Sequence, residues 1–593
     1  MQAETLPNER VSPLPWMLFR HSTALPWLLV ALGAALLRLL VLDRVPLSEA
    51  EASYAFPVWQ AAQGQLDDTL VALGAPLFTN LVTLTIWLFG ASDFAARLVP
   101  AFAGVALAMT PALLVAIIGT RAALAASVLI ATSPITVELS RQVDPAVLSA
   151  ALVAVAVASA IRLVVDRPPW APWLLAASVG LGLACHSGFV IGAGAALLAA
   201  YATWGQLPRL SAAQDRRDAV GDPRPGAGPD DPELPALVTW AREHFGAWLG
   251  PLALGGGLAL VAATGLLMDL AGVGFMFGGL WGGALQSLAP AGLLSRYLGV
   301  FLAYGALLVV LATVGFVLAI RSGDRNAAFL GQWALLLIVL SAGFGALGNA
   351  GPALYIVPLA ILGGIAVARA VPWRAIGEVT GAGWAAIAVS SSLLVVVLLI
   401  LVALVAGSRS VPIIGWIGLV AGVLFAGWLW ARALEPARRG ASAITLAAMV
   451  FLALTAAGVL RLSFGGSPKA AEPLAPVQTY VAFRDAFQDL ETLVRREPER
   501  VMIYDSTTPI VARWYGRNLQ QMADRANVPA GSIRFRTAPP PQTRFTPGDP
   551  WRVPLQAVGQ LDPDGLNPAG VVRWVATRTG LVQVRSQDII IVR

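Results

Sequence analysis

Apolar stretches of about twenty residues recur along this chain, and each is long enough to cross the hydrocarbon of a bilayer, which takes roughly 17–25 residues of helix. Inside hydrocarbon a backbone can satisfy its own polar groups only as a helix or a closed barrel. Runs this long, without apolar/polar alternation, specify helices. Composition agrees: of 593 residues 57% are hydrophobic and 12% charged, against about 25% charged in an ordinary soluble domain. The mean hydropathy is +0.71. A water-soluble fold is excluded, and an α-helical polytopic membrane protein is predicted.

Windows of spanning length fall at 24–42, 95–118, 122–139, 143–165, 171–186, 188–205, 247–268, 297–320, 327–346, 354–370, 380–406, 411–431 and 442–460, so about 13 transmembrane helices are expected. Arg10 and Arg20 precede the first window, as they would in a secretory leader. The window is full length and no A-x-A-like site follows it, which predicts an uncleaved first helix. Arginine sets the orientation, because cytoplasmic loops collect Lys and Arg. With residues 1–23 in the cytoplasm, that side receives Arg121, Arg167, Arg216, Arg217, Arg321, Arg374, Arg438 and Arg439, while the other receives Arg44, Arg141, Arg296 and Arg409. The formal charge of +6 therefore reports topology and calls for no nucleic acid. An odd number of spans places residues 462–593 outside. The expected setting is a multi-pass plasma-membrane protein.

Within the membrane unit, 24–461, two loops are long. The outer loop, 43–95, holds Glu49, Glu51, Asp67 and Asp68 between apolar stretches, and reads as amphipathic helices in the interface. The segment 206–243 is rich in Pro, Gly, Asp and Arg and reads as a disordered cytoplasmic linker. After Arg461 the composition changes. Gly465–Pro476 reads as a linker, Gln478–Arg496 has helical spacing, Val501–Tyr504 and Asp588–Val592 have strand character, and a Pro-rich loop falls at Ala538–Pro541. A small extracytoplasmic α/β soluble domain is expected there.

Carboxylates and arginines near the outer face are the candidates for chemistry, since charge at membrane depth is expensive. Glu49 and Glu51 open the outer loop, and Asp144 follows Arg141 by three residues at the same face. A carboxylate can take a proton from an attacking hydroxyl or amine, and an arginine can offset phosphate charge. The same residues also suit plainer work: acids complement a helix start, and Arg141 with Asp144 fits a surface ion pair. The single cysteine, Cys185, forms no intramolecular disulfide and matches no metal-ligand spacing. A divalent metal is compatible with several outer carboxylates, but nothing in the spacing calls for one.

Three runs in order, Pro46-Leu-Ser-Glu-Ala-Glu-Ala-Ser-Tyr54, Gly74-Ala-Pro-Leu-Phe-Thr-Asn80 and Leu88-Phe-Gly-Ala-Ser-Asp-Phe-Ala-Ala-Arg-Leu98, resemble the first outer loop of the C-type (GT-C) membrane glycosyltransferases. The similarity is to the family 39 protein mannosyltransferases and the aminoarabinose transferases. Ser140–Asp144, Gly180–Gly188, Tyr355–Leu359 and Trp514–Arg517 extend it. The resemblance implies transfer of a sugar from a polyprenyl-phosphate donor to a protein or lipid acceptor at the outer face, with membrane lipid around it. Ser48 stands where the family has its aspartate, so the resemblance implies Glu49 or Glu51 as the base, and Asp144 joins the catalytic candidates as the residue that orients the acceptor or the loop. Substrate-binding candidates are Arg141, Arg97, His186, Tyr54 and Tyr355. Arg97 would either hold loop carbonyls or touch phosphate, His186 stands where relatives often carry lysine, and Tyr355 follows Leu354 where the family has arginine. The reading from another class is a non-catalytic transporter or flippase-associated protein for lipid-linked sugars. Such a protein would be expected to show broken polar helices and internal repeats, which the sequence does not display.

Overall fold

The computed structural model describes residues 24–64, 74–204, 245–265, 304–343, 349–370, 477–496, 502–504, 508–519, 521–523, 533–537, 551–561 and 582–592, with short pieces within 272–280. The N-terminal 1–23, the linker 206–243, the expected spans 380–406, 411–431 and 442–460, the linker Gly465–Pro476 and the loop Ala538–Pro541 lie outside the described residues.

The described membrane part is helical throughout. In chain order it comprises α1 (Ala24–Leu39), α2 (Glu49–Ala62), α3 (Pro76–Phe89), α4 (Asp93–Ile118), α5 (Thr120–Thr132), α6 (Pro134–Leu139) and α7 (Ala146–Val165). There follow α8 (Ala171–Leu183), α9 (Ser187–Trp204), α10 (Phe245–Ala263), α11 (Ala306–Arg321), α12 (Arg325–Gly343) and α13 (Ala350–Ala370). Among the described residues, five helices are long and apolar enough to cross a membrane, judged by length and composition, and six shorter ones are also apolar.

The expected span 122–139 is two helices. Pro134 cannot donate a backbone hydrogen bond, and Ser133 takes an extended conformation (φ −64°, ψ 123°), so α5 ends and α6 restarts. Helix α13 is the hub of the bundle: its 18-residue window is 94% buried, whereas the α9 and α12 windows are 39% buried. Its Leu354, Tyr355, Ile356 and Leu362 pack with Leu129, Ile130, Val153, Phe189 and Trp333 in one apolar core.

The outer loop carries two helices, α2 and α3. A capping box starts α2: the Ser48 hydroxyl accepts the Glu51 N–H, and the Ser48 N–H donates to Glu51 Oε2 at 2.9 Å. Pro76 opens α3, where its missing N–H costs nothing.

The C-terminal part forms a six-stranded sheet ordered β1-β5-β6-β4-β2-β3. The strands are β1 (Val477–Thr479), β2 (Met502–Tyr504), β3 (Gln521–Ala523), β4 (Ile533–Thr537), β5 (Trp551–Leu561) and β6 (Val582–Val592). Two helices accompany them, α14 (Val481–Arg496) and α15 (Ile510–Tyr515). A shift in the β5–β6 register falls between Pro554 and Gln556, where proline has no N–H for the ladder. Phe483, Phe487, Trp514 and Leu555 of this part share one apolar core with Leu47, Phe56, Phe78 and Val82 of the outer loop. The tail and the loop are therefore packed as a unit.

Candidate active site

Two buried arginines fix the frame from which the site is built. At the end of α1 the last carbonyls have no helical partner. Arg141 Nη1 donates to the carbonyls of Leu37, Arg38 and Leu40 at 3.1, 3.1 and 3.0 Å, and Nη2 donates to Val41 at 2.9 Å. Val41 sits at φ 51°, a conformation unfavourable for a β-branched side chain, and this bond helps to hold it. Arg38 does the converse. It is fully buried and donates to the carbonyls of Ile130 and Ala131, the end of α5, and to the Thr136 hydroxyl. Its guanidinium lies where a Cβ at residue 104 would be, 2.5 Å from that point, so Gly104 is the residue that lets it in. Arg141 thus meets the negative end of α1, and Arg38 that of α5.

Glu51 and Arg97 form the second clasp. Arg97 Nε and Nη2 reach the two Glu51 oxygens at 2.7 and 2.8 Å, a bidentate pair with side chains only 4% and 8% exposed. The remaining Arg97 donors go to the carbonyls of Leu42, Val45 and Pro46. Glu51 Oε1 also accepts the Val143 N–H at 3.1 Å. The carboxylate therefore joins the loop entry, α4 and the turn before α7. Of the two roles the sequence allows Arg97, the structure displays the carbonyl-holding one.

Glu49 faces elsewhere. Its Oε1 accepts the Ile510 N–H at 2.6 Å and its Oε2 the Val511 N–H at 3.2 Å, so it caps α15 of the tail. Burial pushes its carboxyl above the usual range, while those two N–H groups and Arg513 pull the other way. Nearby, Asp93 accepts from Trp514 Nε1 at 2.9 Å and from the Tyr515 hydroxyl at 2.8 Å. Burial first, and then Asp93, hold the Tyr515 phenol well above its ordinary value.

Asp144 has different company. One oxygen accepts the Ala146 N–H at 2.7 Å, and the other accepts Asn349 Nδ2 at 3.0 Å. The side chain is half-buried. Its charge is felt by Tyr54, Cys185 and His186. Burial and then Asp144 push the Tyr54 phenol up, and the Tyr54 ring stands edge-on to Phe78. His186 Nδ1 accepts the Gly188 N–H at 3.1 Å, which places the proton of the neutral ring on Nε2.

Three helix starts meet here. Asp144 precedes α7, His186 caps α9 and Asn349 precedes α13. A Cβ built at Gly188 would lie 2.9 Å from Ala350 Cβ, 3.1 Å from Ser149 Oγ and 3.2 Å from His186 Nδ1, which measures how closely the three ends approach. Ser149 Oγ is fully buried with no hydrogen-bond partner among the described residues. Helix N-termini carry partial positive charge, so the arrangement favours anions.

The structure therefore brings Asp144, His186 and Tyr54 together, directs Glu51, Arg97 and Arg141 to the scaffold, and sends Glu49 to the tail. Tyr355 lies past the first turn of α13, 2% exposed within the helical core. Sequence reasoning missed Asn349 and Ser149. Asn349 carried a usable signal, a polar residue directly before an apolar run, where a helix cap belongs. Among the described residues no group of three His, Cys, Asp or Glu side chains is arranged to hold a metal ion.

The family model of the dolichyl-phosphate-mannose-protein mannosyltransferases matches residues 74–213. A comparison with curated proteins found no matching relative. Among solved structures the fold is similar to ArnT from Cupriavidus metallidurans bound to undecaprenyl phosphate, with a TM-score of 0.52, 17% identity, and 85% of this chain and 87% of that one covered. The apo state of the same protein gives 0.51 and 17% over the same shares. The archaeal oligosaccharyltransferase AglB from Archaeoglobus fulgidus, in complex with an inhibitory peptide and a dolichol-phosphate, gives 0.45 and 14%, with 86% and 65% covered. In its fold and its ordered motifs the chain resembles the C-type membrane glycosyltransferases of the protein mannosyltransferase and aminoarabinose-transferase kind.

Proposed function

We propose that this protein transfers a hexose or pentose from a polyprenyl-phosphate donor to a protein or lipid acceptor at the outer face of the plasma membrane, with Asp144 as general base. The observation that carries the reading is the meeting of the α7, α9 and α13 N-termini around Asp144, with His186 and Tyr54 beside it. Positive helix ends suit the phosphate of a lipid donor, and the carboxylate suits the proton of an acceptor. ArnT, which is similar in fold, has been solved with undecaprenyl phosphate bound.

The chemistry is a single displacement. Asp144 takes the proton of the acceptor hydroxyl or amine as its oxygen or nitrogen attacks the anomeric carbon. The bond from that carbon to the phosphate oxygen breaks, and polyprenyl phosphate leaves with the electron pair. His186 Nε2–H donates to that oxygen, and Tyr54 lines the acceptor side. In this reading Glu51, Arg97 and Arg141 hold the walls and Glu49 holds the tail. About thirteen crossings, an odd number, set a cytoplasmic N-terminus and an outer C-terminal domain.

The test is to incubate purified protein with labelled polyprenyl-phosphate sugars and membrane acceptors, and to follow release of the carrier phosphate. Transfer with stoichiometric carrier release supports the reading. Movement of the intact donor across vesicles without release would replace it with the transporter reading.

A further inference from the structure

We infer that the C-terminal part positions Asp144 through the outer loop, so that Tyr515 and Thr479 are positioning residues for the transfer reaction. The inference rests on the proposed role of Asp144.

Both backbone groups of Leu47 are held by the tail. The Leu47 N–H donates to the Tyr515 hydroxyl at 2.7 Å, and the Thr479 hydroxyl donates to the Leu47 carbonyl at 2.6 Å. The next residue, Ser48, donates its N–H to Glu51 Oε2, and the Ser48 hydroxyl accepts the Glu51 N–H, so the geometry at Leu47 passes into the Glu51 side chain through one capping turn. The other Glu51 oxygen accepts the Val143 N–H, and Val143 is covalently joined to Asp144. Every step from Tyr515 to Asp144 is one hydrogen bond or a short covalent stretch. Along it Leu47 is fully buried, Val143 is 1% and Glu51 6% exposed, and Tyr515 and Ser48 are half-buried.

Burial matters because an amide deprived of water has a sharp preference for its one partner. The tail also has anchors besides Leu47. Trp514 Nε1 and the Tyr515 hydroxyl both donate to Asp93, Arg484 donates to the Asp43 carbonyl, and Arg517 donates to Ala91. Tyr515 is thus set against α4 through Asp93 before it touches Leu47, while Arg97, four residues along α4 from Asp93, clamps Glu51. The tail and α4 grip residues 47–51 from two sides. An occupant that displaces the tail, such as an acceptor entering between tail and loop, would alter the Glu51–Val143 contact and with it the setting of Asp144.

The test uses the full-length protein in nanodiscs. Tyr515→Phe keeps the ring and removes the hydroxyl that accepts from Leu47 and donates to Asp93, whereas Thr479→Val removes the Leu47 bond alone. Amide hydrogen exchange of the peptide covering Val143–Ala146 should accelerate about tenfold, the worth of one buried hydrogen bond, ~1.4 kcal/mol. Thr479→Val should act in the same direction by loosening the other side of Leu47. Glu51→Gln should accelerate the same peptide, and adding Tyr515→Phe to it should give little more, because both act on one route. In the transfer assay Tyr515→Phe should lower kcat several-fold with the donor KM unchanged. Acceleration confined to the tail and Leu47 in both tail variants, with Val143–Ala146 at the wild-type rate, would overturn the inference. Full additivity of Tyr515→Phe and Glu51→Gln at that peptide would overturn it as well. Exchange does not depend on turnover, so coupled exchange in a protein that transfers no sugar refutes the transferase reading and leaves the coupling standing.

Discussion

Glu51 and Asp144 lie on either side of one hydrogen bond, the Val143 N–H to Glu51 Oε1, yet their surroundings are opposites. Glu51 is 6% exposed and accepts from Arg97, Ser48 and Val143 with both oxygens. Asp144 is half-buried, accepts from the Ala146 N–H and the Asn349 amide, and shares its field with an imidazole and a phenol. A carboxylate saturated by a bidentate guanidinium is a fastening, because removing its charge breaks the fastening before any proton can be exchanged. A carboxylate held by an amide and a backbone N–H stays in place while its lone pairs can still meet a substrate. The contrast supports a structural role for the first and, under the proposed function, chemistry for the second.

The largest expected effect belongs to Asp144. Asp144→Asn keeps the shape and removes the proton acceptor, so transfer should fall about 10²–10⁴-fold, the usual worth of a general base. The thermal midpoint should stay near wild type. Steady-state kinetics beside a melting curve reads both, and a large drop in midpoint would make Asp144 a second fastening.

Next is Arg97→Met, which leaves Glu51 charged, buried and unpaired. It should cost about 3–5 kcal/mol of stability, read by denaturant or thermal unfolding. Arg97→Met with Glu51→Gln should cost less than the sum of the single changes. Strict additivity would break the assigned pairing.

Asn349→Ala tests how Asp144 is held. Losing one hydrogen bond to a charged group is worth about 1.5–3 kcal/mol, and the loss should appear in kcat more than in the unfolding midpoint. An equal loss in both would blur the contrast between the two carboxylates.

The smallest effect concerns the third carboxylate. Burial raises Glu49, so the folded state holds that proton more tightly than the unfolded chain does. Its stabilising contribution is then complete below the ordinary value of 4.5 and is lost as the pH rises through the raised folded value. Glu49→Gln should flatten that part of the stability profile, checked by unfolding midpoints at successive pH values from acid to neutral. Transfer near neutral pH should change little.

How much of this could be read from the residue order depended on distance along the chain. Apolar windows are local, so helices appear at Ala146–Val165 and Ala350–Ala370 close to where hydropathy places them. The proline break inside 122–139 was equally local, but the flanking apolar residues masked it. Glu49 and Glu51 look interchangeable in sequence; on a helix of 3.6 residues per turn they point about 200° apart, and so one meets the tail and the other Arg97. Arg141 reads as a phosphate ligand because the carbonyls it caps, at Leu37–Val41, lie about a hundred positions earlier and come near only in the fold. Asn349 is 205 positions from Asp144, and no periodicity joins them. The resemblance in ordered motifs singled out residues 46–98, while the partners of their charged residues needed the packed structure.

The most direct test of the account sets wild type, Asp144→Asn, Glu49→Gln and Glu51→Gln side by side in one assay of carrier-phosphate release from a labelled polyprenyl-phosphate sugar, each checked for its unfolding midpoint. The account predicts that Asp144→Asn is folded and loses transfer by at least about a hundredfold, that Glu51→Gln loses stability along with rate, and that Glu49→Gln transfers at close to the wild-type rate. Wild-type transfer by Asp144→Asn, with the loss falling instead on a folded Glu49→Gln, would contradict it.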